Sequence, residues 1–199
     1  MADGNADSGA DKAAAKAKTN YDDVSTYPLD QDKIERLCQL QSECAVLWST
    51  SDGWPVGVMH RFVFQDGKFW VTCAGHRKRV PALRKRDKSA IIITSEGTAL
   101  GRDQTMTVKC RATVHDDNEA VKSWFYRALA LKLNNGDEAG AARFQQFVDT
   151  PGRVILELTP AKWITYDGTK LAAHVAGQWT PEEPWKEELP PAPAWVGMR

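Results

Sequence analysis

Apolar residues recur along this chain with two different periods. In Pro55–Gln65 they alternate. Val56, Val58, His60 and Phe62 share one face, and Gly57, Met59, Arg61 and Val63 share the other. Strands of this kind are expected at 44–49, Pro55–Gln65, 68–73, 89–94 and 105–115, with two more at 153–158 and 163–166. Asp66-Gly67 lies between two of these runs and predicts a tight hairpin, because Gly supplies the positive φ that the turn needs. The period then changes. Val121, Trp124, Phe125, Ala128, Leu129 and Leu131 form a broad apolar face on a helix expected over 117–133. Asn134-Asn135-Gly136 ends it, and a second helix is expected over 137–148. Upstream, Asp30 is placed to cap a helix carrying Ile34, Leu37, Cys38 and Leu40, which should pack on one end or face of the sheet. Strands with helices inserted between them give a mainly β fold with helical caps (α+β), arranged as a small barrel.

The two ends of the chain read differently. Residues 1–20 are mainly Ala, Lys, Asp and Gly with no aliphatic side chain beyond Ala, so they are expected to be a disordered tail. Residues 21–170 hold the periodic segments and form one domain. In 171–199, Pro181, Pro184, Pro190, Pro191 and Pro193 oppose regular structure, while Trp179, Trp185 and Trp195 ask for burial. An extended arm laid across the barrel or a partner subunit is expected, acting either as a lid on a ligand site or as cover for the core.

Composition narrows the classes. No apolar run approaches the ~20 residues of a membrane span, and the first residues lack the apolar segment of a signal peptide, so a cytoplasmic protein with no membrane partner is expected. Cys38, Cys44, Cys73 and Cys110 show no Cys-x-x-Cys spacing and read as reduced, packed thiols. The scattered histidines give no metal site. Gly-x-Gly-x-x-Gly, P-loop and Gly-x-Ser-x-Gly patterns are missing, so dinucleotide-fold, P-loop and α/β-hydrolase chemistry lack support. Asp116-Asp117 and Glu187-Glu188 read as caps and solvated charge.

One local feature departs from the overall balance. The 26 Lys and Arg are matched by 26 Asp and Glu, yet seven of the bases and one acid fall between His76 and Lys88. A neutral chain has little use for a diffuse nucleic-acid surface, and nucleic acid is not expected as a partner. Pro81 suits the first turn of a helix, which places Arg77, Lys78 and Arg79 just before its N-terminus. Free N–H groups and cationic side chains converging there suit a small phosphorylated ligand, with Lys78 and Arg79 as the contacts. Arg84 to Lys88 read mainly as a solvated helix face.

Strand, basic loop, spaced Leu and basic-Asp pair before an aliphatic strand resemble the flavin-binding split barrels of the pyridoxamine 5′-phosphate oxidase-like superfamily. Ala45-Val46-Leu47-Trp48 with Asp52-Gly53-Trp54-Pro55 is similar to the first hairpin of that family. Thr105-Met106-Thr107-Val108-Lys109-Cys110-Arg111-Ala112 is similar to its middle strand, and Val154 to Pro160 with Trp163 to its closing strands. The resemblance implies an FMN-dependent oxidoreductase. It would work by hydride transfer through flavin N5 to or from a small organic substrate, with the cofactor at a homodimer interface. It implies Lys78 and Arg79 on the phosphate, with Thr72 and His76 adding hydrogen bonds. Val56, Val58, Met59 and His60 would line the isoalloxazine, and Gln104 and Thr105 would approach from the middle strand, from the same subunit or the partner. No catalytic residue is identified. The Gly usual at Cys110, the Asp-Pro usual after the basic helix, and the Arg-Gln pair usual near Gln104-Thr105 are absent, which removes support for pyridoxamine 5′-phosphate oxidation itself.

Several readings stay open at this point. His60 either lines the ring or is a satisfied barrel histidine, and Arg61 either makes a surface ion pair or one between subunits. Trp48, Trp54 and Trp163 either stack on a substrate or pack the core. F420 is the alternative cofactor, with Arg84, Lys85 and Arg86 holding its acidic tail. A non-catalytic flavin- or haem-binding protein is a further alternative, for which His174 is the loosely placed axial candidate.

Overall fold

The computed structural model describes residues 26–181; the expected disordered tail, and the arm beyond Pro181 with Trp185 and Trp195, lie outside the described residues. Six antiparallel strands close into a barrel in the order β1-β2-β3-β6-β5-β4. They are β1 (Glu43–Ser49), β2 (Pro55–Gln65), β3 (Lys68–Ala74), β4 (Lys88–Thr94), β5 (Gln104–His115) and β6 (Arg153–Asp167). Five helices accompany them: α1 (Gln31–Leu40), α2 (Arg79–Lys85), α3 (Glu119–Leu133), α4 (Glu138–Val148) and α5 (Gly168–Val175).

The local signals act as expected at most junctions. Asp66 and Gly67 both take positive φ, 53° and 72°, which is the two-residue turn whose twist matches the flanking strands. Asn118 caps α3 and Asp137 caps α4 through their side chains. Asp30 stands at the N-cap of α1, but its carboxylate pairs with Lys170 at 2.6 Å rather than capping. Two expectations change. The last two expected strands are one strand, β6, whose register slips opposite Lys109 and Cys110. Pro160 pairs with Cys110 and Lys162 with Lys109, so Ala161 is the extra residue of a bulge, where a strand tolerates a proline. The boundary expected near residue 170 falls inside α5.

Two cores share the barrel wall. Inside lie Val46, Phe62, Phe69, Val71, Ile91, Val108 and Leu156, closed at one end by Ile34 and Leu37 of α1 and at the other by Val80 and Leu83 of α2. Outside, Val63, Trp70 and Ile155 pack under Val121, Phe125, Tyr126 and Leu129 of α3 and Val148 of α4. Strands buried on both faces need apolar residues at consecutive positions, which explains the unbroken runs in β3 and β6. Trp163 joins the inner core, 5.6 Å from the Phe69 ring, so it is a packing residue. All four cysteines are buried and free. Burial pushes the Cys44 and Cys110 thiols up to about 12 and the Cys38 thiol up as well, so none of these three is a ready nucleophile.

Lys132, near the end of α3, ties that helix to the barrel. Its ammonium donates to the Cys38 carbonyl at 3.1 Å and lies 4.1 Å from the Phe62 ring centroid. Burial pushes its pKa down to about 8.

Asp167 locks α1 to the end of β6. Its buried carboxylate accepts from Lys33 at 2.5 Å and from Thr169. Burial alone would raise its pKa, but Lys33 and Thr169 outweigh burial and hold it below the ordinary carboxylate value. A depressed pKa contributes stability above the unfolded value that is lost as pH falls through the folded one. Asp167→Asn is therefore expected to lower stability at neutral pH by roughly 2 kcal/mol and to flatten the acid limb of a melting-temperature against pH curve. An acid limb of unchanged slope would show that this carboxylate does not set it.

Candidate functional site

The barrel is split between β2 and β3. β1 pairs with β2 over all of Pro55–Arg61, but β3 pairs only with Phe62–Gln65. Beyond Phe62↔Val71 the two strands separate, so Pro55–Arg61 and Thr72–Ala74 each have an open edge. Phe62 donates its N–H to Ser42, which sets the phase of the ladder and turns the peptide groups of Gly57, Met59 and Arg61 toward the split. Unsatisfied ladder groups facing a cleft are available to a planar polar ligand.

The expected site residues distribute around this split. Val56, Val58 and His60 lie opposite Trp48, Val46 and Cys44 of β1 and face the barrel interior. Met59 turns outward and is 64% exposed, as is Trp54 of the β1–β2 turn at 69%. Arg61 reads as a surface ion pair, with Glu43 at 2.9 Å, and also donates to Ser42. The loop after β3 carries His76, Arg77 and Lys78, all exposed. Arg79 is the first helical residue of α2 rather than a pre-helix residue, and Lys78 is the N-cap. Gly75 makes the loop possible: its N–H donates to Gly152 at 2.7 Å, and a Cβ there would meet that carbonyl at 3.0 Å.

Thr72 is committed elsewhere. Its hydroxyl donates to the Val154 carbonyl at 2.9 Å, lies 3.2 Å from the Tyr126 hydroxyl, and accepts from Arg153 Nε at 3.3 Å. Gln104 and Thr105 start β5, three strands from β2 in either direction around the barrel, so they do not meet the Lys78–Arg79 end within one chain. Gln104 is buried, and its Oε1 has no hydrogen-bond partner among the described residues.

The inner end of the split is the electrostatic centre. His60 is 9% exposed, and its Nε2 is buried without a partner. Arg79 Nε is in the same condition. Burial, then the charges of Arg79 and Arg153, push the His60 pKa down to about 4, against a hydrogen bond that the ring donates to the Thr72 backbone and that favours its charged form. Cys73 lies against the same arginines. Burial raises its pKa, and Arg79, Arg153 and Arg77 oppose that rise. Neither Arg79 nor Arg153 makes an ion pair among the described residues. Arg153 also lines a cavity of about 680 Å³ together with Asp116, Asp117, Lys122 and Asp149. Nothing in the sequence marks Arg153 beyond a strand start, because its hydrogen-bond partner Thr72 lies on β3, 81 positions earlier.

Of the three basic residues expected to hold an acidic tail, Arg84 and Arg86 are engaged and Lys85 is exposed. Arg84 pairs with Asp116, and Arg86 donates to the Ser49 carbonyl at 2.9 Å. Among the described residues no cluster of His, Cys, Asp and Glu could hold a metal ion, and no helix is long and apolar enough to cross a membrane.

No protein-family profile and no curated relative matches the sequence. Solved structures do match. A conserved hypothetical protein of Mycobacterium tuberculosis superposes with a TM-score of 0.61 at 13% identity, covering 74% of this chain and 90% of that one. A putative pyridoxamine 5′-phosphate oxidase of Listeria innocua gives 0.50 at 13% identity, over 67% and 95%. A FAD-binding protein of Mesorhizobium loti gives 0.50 at 11% identity, over 69% and 94%. The chain has the split-barrel fold of the pyridoxamine 5′-phosphate oxidase-like proteins.

Proposed function

We propose that this protein is an FMN-dependent oxidoreductase that binds the cofactor along the β2–β3 split as a homodimer. The observation that carries this reading is the open edge of Pro55–Arg61 ending at two buried polar atoms without partners, His60 Nε2 and Arg79 Nε. A flavin mononucleotide fits both halves. Its ring offers hydrogen-bonding edges to the free peptide groups of Gly57, Met59 and Arg61, and its phosphate suits Lys78 and Arg79. When bound, the flavin supplies hydride transfer through N5 to or from a small organic substrate. The chain's part is to hold the ring against Val56 and Val58, to place the phosphate at the loop, and to keep water from the inner end of the split.

A second copy is argued from the outer face of β1, β2 and β4. Ala45, Leu47 and Ile92 are half-buried there and Met59 is exposed. Gln104 and Thr105 would reach a cofactor only in the partner, since they lie on the far side of their own barrel.

F420 would need a free basic groove for its acidic tail, and with Arg84 and Arg86 engaged only Lys85 of the three expected residues is left for it. A haem reading would need an axial histidine, and His174 lies with Nδ1 2.9 Å from the Tyr27 hydroxyl, its ring packed against Tyr27 and Trp179. Both favour FMN. The test is the absorption spectrum of the purified protein, with FMN and F420 titrations if it is colourless. Flavin bands in the near ultraviolet and the blue, or saturable FMN uptake, are expected. Uptake of F420 but not FMN would overturn the cofactor, and uptake of neither would overturn the flavin reading.

A further inference from the structure

We infer that Lys132 is a nucleophilic amine that condenses with a small 2-oxo acid to form an imine in a cavity at the α1 end of the barrel. The site stands apart from the flavin reading and does not rest on it. The cavity has a volume of about 570 Å³. Leu40 of α1, Arg61 of β2, Lys132 and Leu133 of α3 and Phe144 of α4 line it, with Ser42 at the start of β1. Lys132 is half-buried at its wall. An ammonium carries three N–H donors. Among the described residues that of Lys132 meets one acceptor, the Cys38 carbonyl at 3.1 Å, and one ring, Phe62, at 4.1 Å from the centroid.

Nothing fixes the proton on this amine. Cys38 faces it from α1 and Cys44 from β1, and burial holds both thiols in the neutral form. Glu35 and Glu43 act on those thiols but not on Lys132. From β2 come the Phe62 ring and, across the cavity wall, the cationic Arg61. No carboxylate pairs with Lys132 among the described residues. Burial therefore prevails and lowers its pKa to about 8. A lysine desolvated in this way is a nucleophile toward carbonyl carbon near neutral pH.

The product suits the setting better than the free ammonium. A protonated imine keeps its positive charge for the Phe62 ring and one N–H for the Cys38 carbonyl, with no further donor to satisfy. The step balances. The neutral nitrogen adds to the carbonyl carbon, whose oxygen takes up a proton. That oxygen then leaves as water while the C=N bond forms. Counted from the ammonium, two of its hydrogens depart in the water and the charge is unchanged. Arg61 supplies the preference for an acid. It donates to the Ser42 hydroxyl at 2.9 Å and pairs with Glu43 at 2.9 Å, which leaves further N–H groups of its guanidinium for a carboxylate. The pair with Glu43 is half-exposed and holds the arginine only weakly.

Glyoxylate with cyanoborohydride is the probe. Reduction fixes the imine as a carboxymethyl group on the amine, and peptide mass mapping locates it. In the full-length unaltered protein at about pH 7, Lys132 should be modified at least about tenfold faster than the exposed Lys88 and Lys109, because more of it is neutral. Its rate should rise with pH and level off above about pH 8, where the rates of Lys88 and Lys109 still climb. Propionaldehyde has no carboxylate, so it should favour Lys132 over Lys109 less than glyoxylate does. Arg61→Gln should bring the glyoxylate preference down to the propionaldehyde value. Lys132 modified no faster than Lys88 and Lys109, or a rate that does not level off, would overturn the inference without any variant having to fold. Equal preference for Lys132 with both carbonyl compounds would overturn the choice of an acid.

Discussion

Lys78→Glu with Arg79→Glu is expected to weaken FMN binding at least about 100-fold while the protein still unfolds in one cooperative thermal transition. Each reversal replaces an attraction to the phosphate with a repulsion, and truncating a buried partner of a charge already costs about 2–5 kcal/mol. Lys78 is exposed, and its ammonium has no partner among the described residues. Arg79 is half-buried beside Cys73 and His60, so its reversal also brings a carboxylate toward the His60 ring. Lys78→Glu alone should weaken FMN far less and should act mainly through the salt dependence of binding, because an exposed charge is screened. Riboflavin, which lacks the phosphate, should bind the double variant and the unaltered protein alike. Fluorescence titration of both ligands checks this. An FMN affinity unchanged in the double variant would remove the phosphate from this loop.

Phe69→Ala is expected to cost about 3–5 kcal/mol of folding stability, a large part of the total for a domain of this size. Phe69 is fully buried and is the hub of an aromatic group in the barrel, with the rings of Phe64, Trp163 and Phe62 at 4.7, 5.6 and 5.8 Å. The cavity left by the ring would be walled by β3 and β6, which are held by ladders on both sides there and resist collapse into it. Phe64→Ala, at the partly buried edge of the same group, should cost less. Chemical denaturation of the two variants measures the difference. Equal losses would mean that the barrel repacks around either gap.

These two experiments probe different kinds of information. The aromatic hub was legible only in part. Alternation placed Phe62 and Phe64 on one face of β2, and the Asp66-Gly67 turn fixed which residues of β3 they would meet. It did not show that Trp163, almost a hundred positions later, closes the same group, because that contact depends on β6 lying next to β3. Two strands were expected where β6 runs unbroken through Pro160. Here the bulge at Ala161 absorbs it, which only the pairing with β5 reveals. The last helix, α5, was masked by the prolines that follow it, although Asp167 caps it through its side chain.

The sequence by itself determined most of the strands and helices, the tight turn, the burial of the cysteines and the basic loop. Each of these is set by forces that act over a few residues: backbone sterics, capping, and the period with which apolar side chains must face a core. Only the tertiary structure decided where the barrel opens and what meets there. The split exists because β3 parts from β2 beyond Phe62 and Val71. His60, Arg79 and Arg153 come from three separate elements, and nothing near any of them in the chain marks it as one of a set. Their coupling arises from distance and burial together, since charges act strongly on one another only where the fold has removed the water between them.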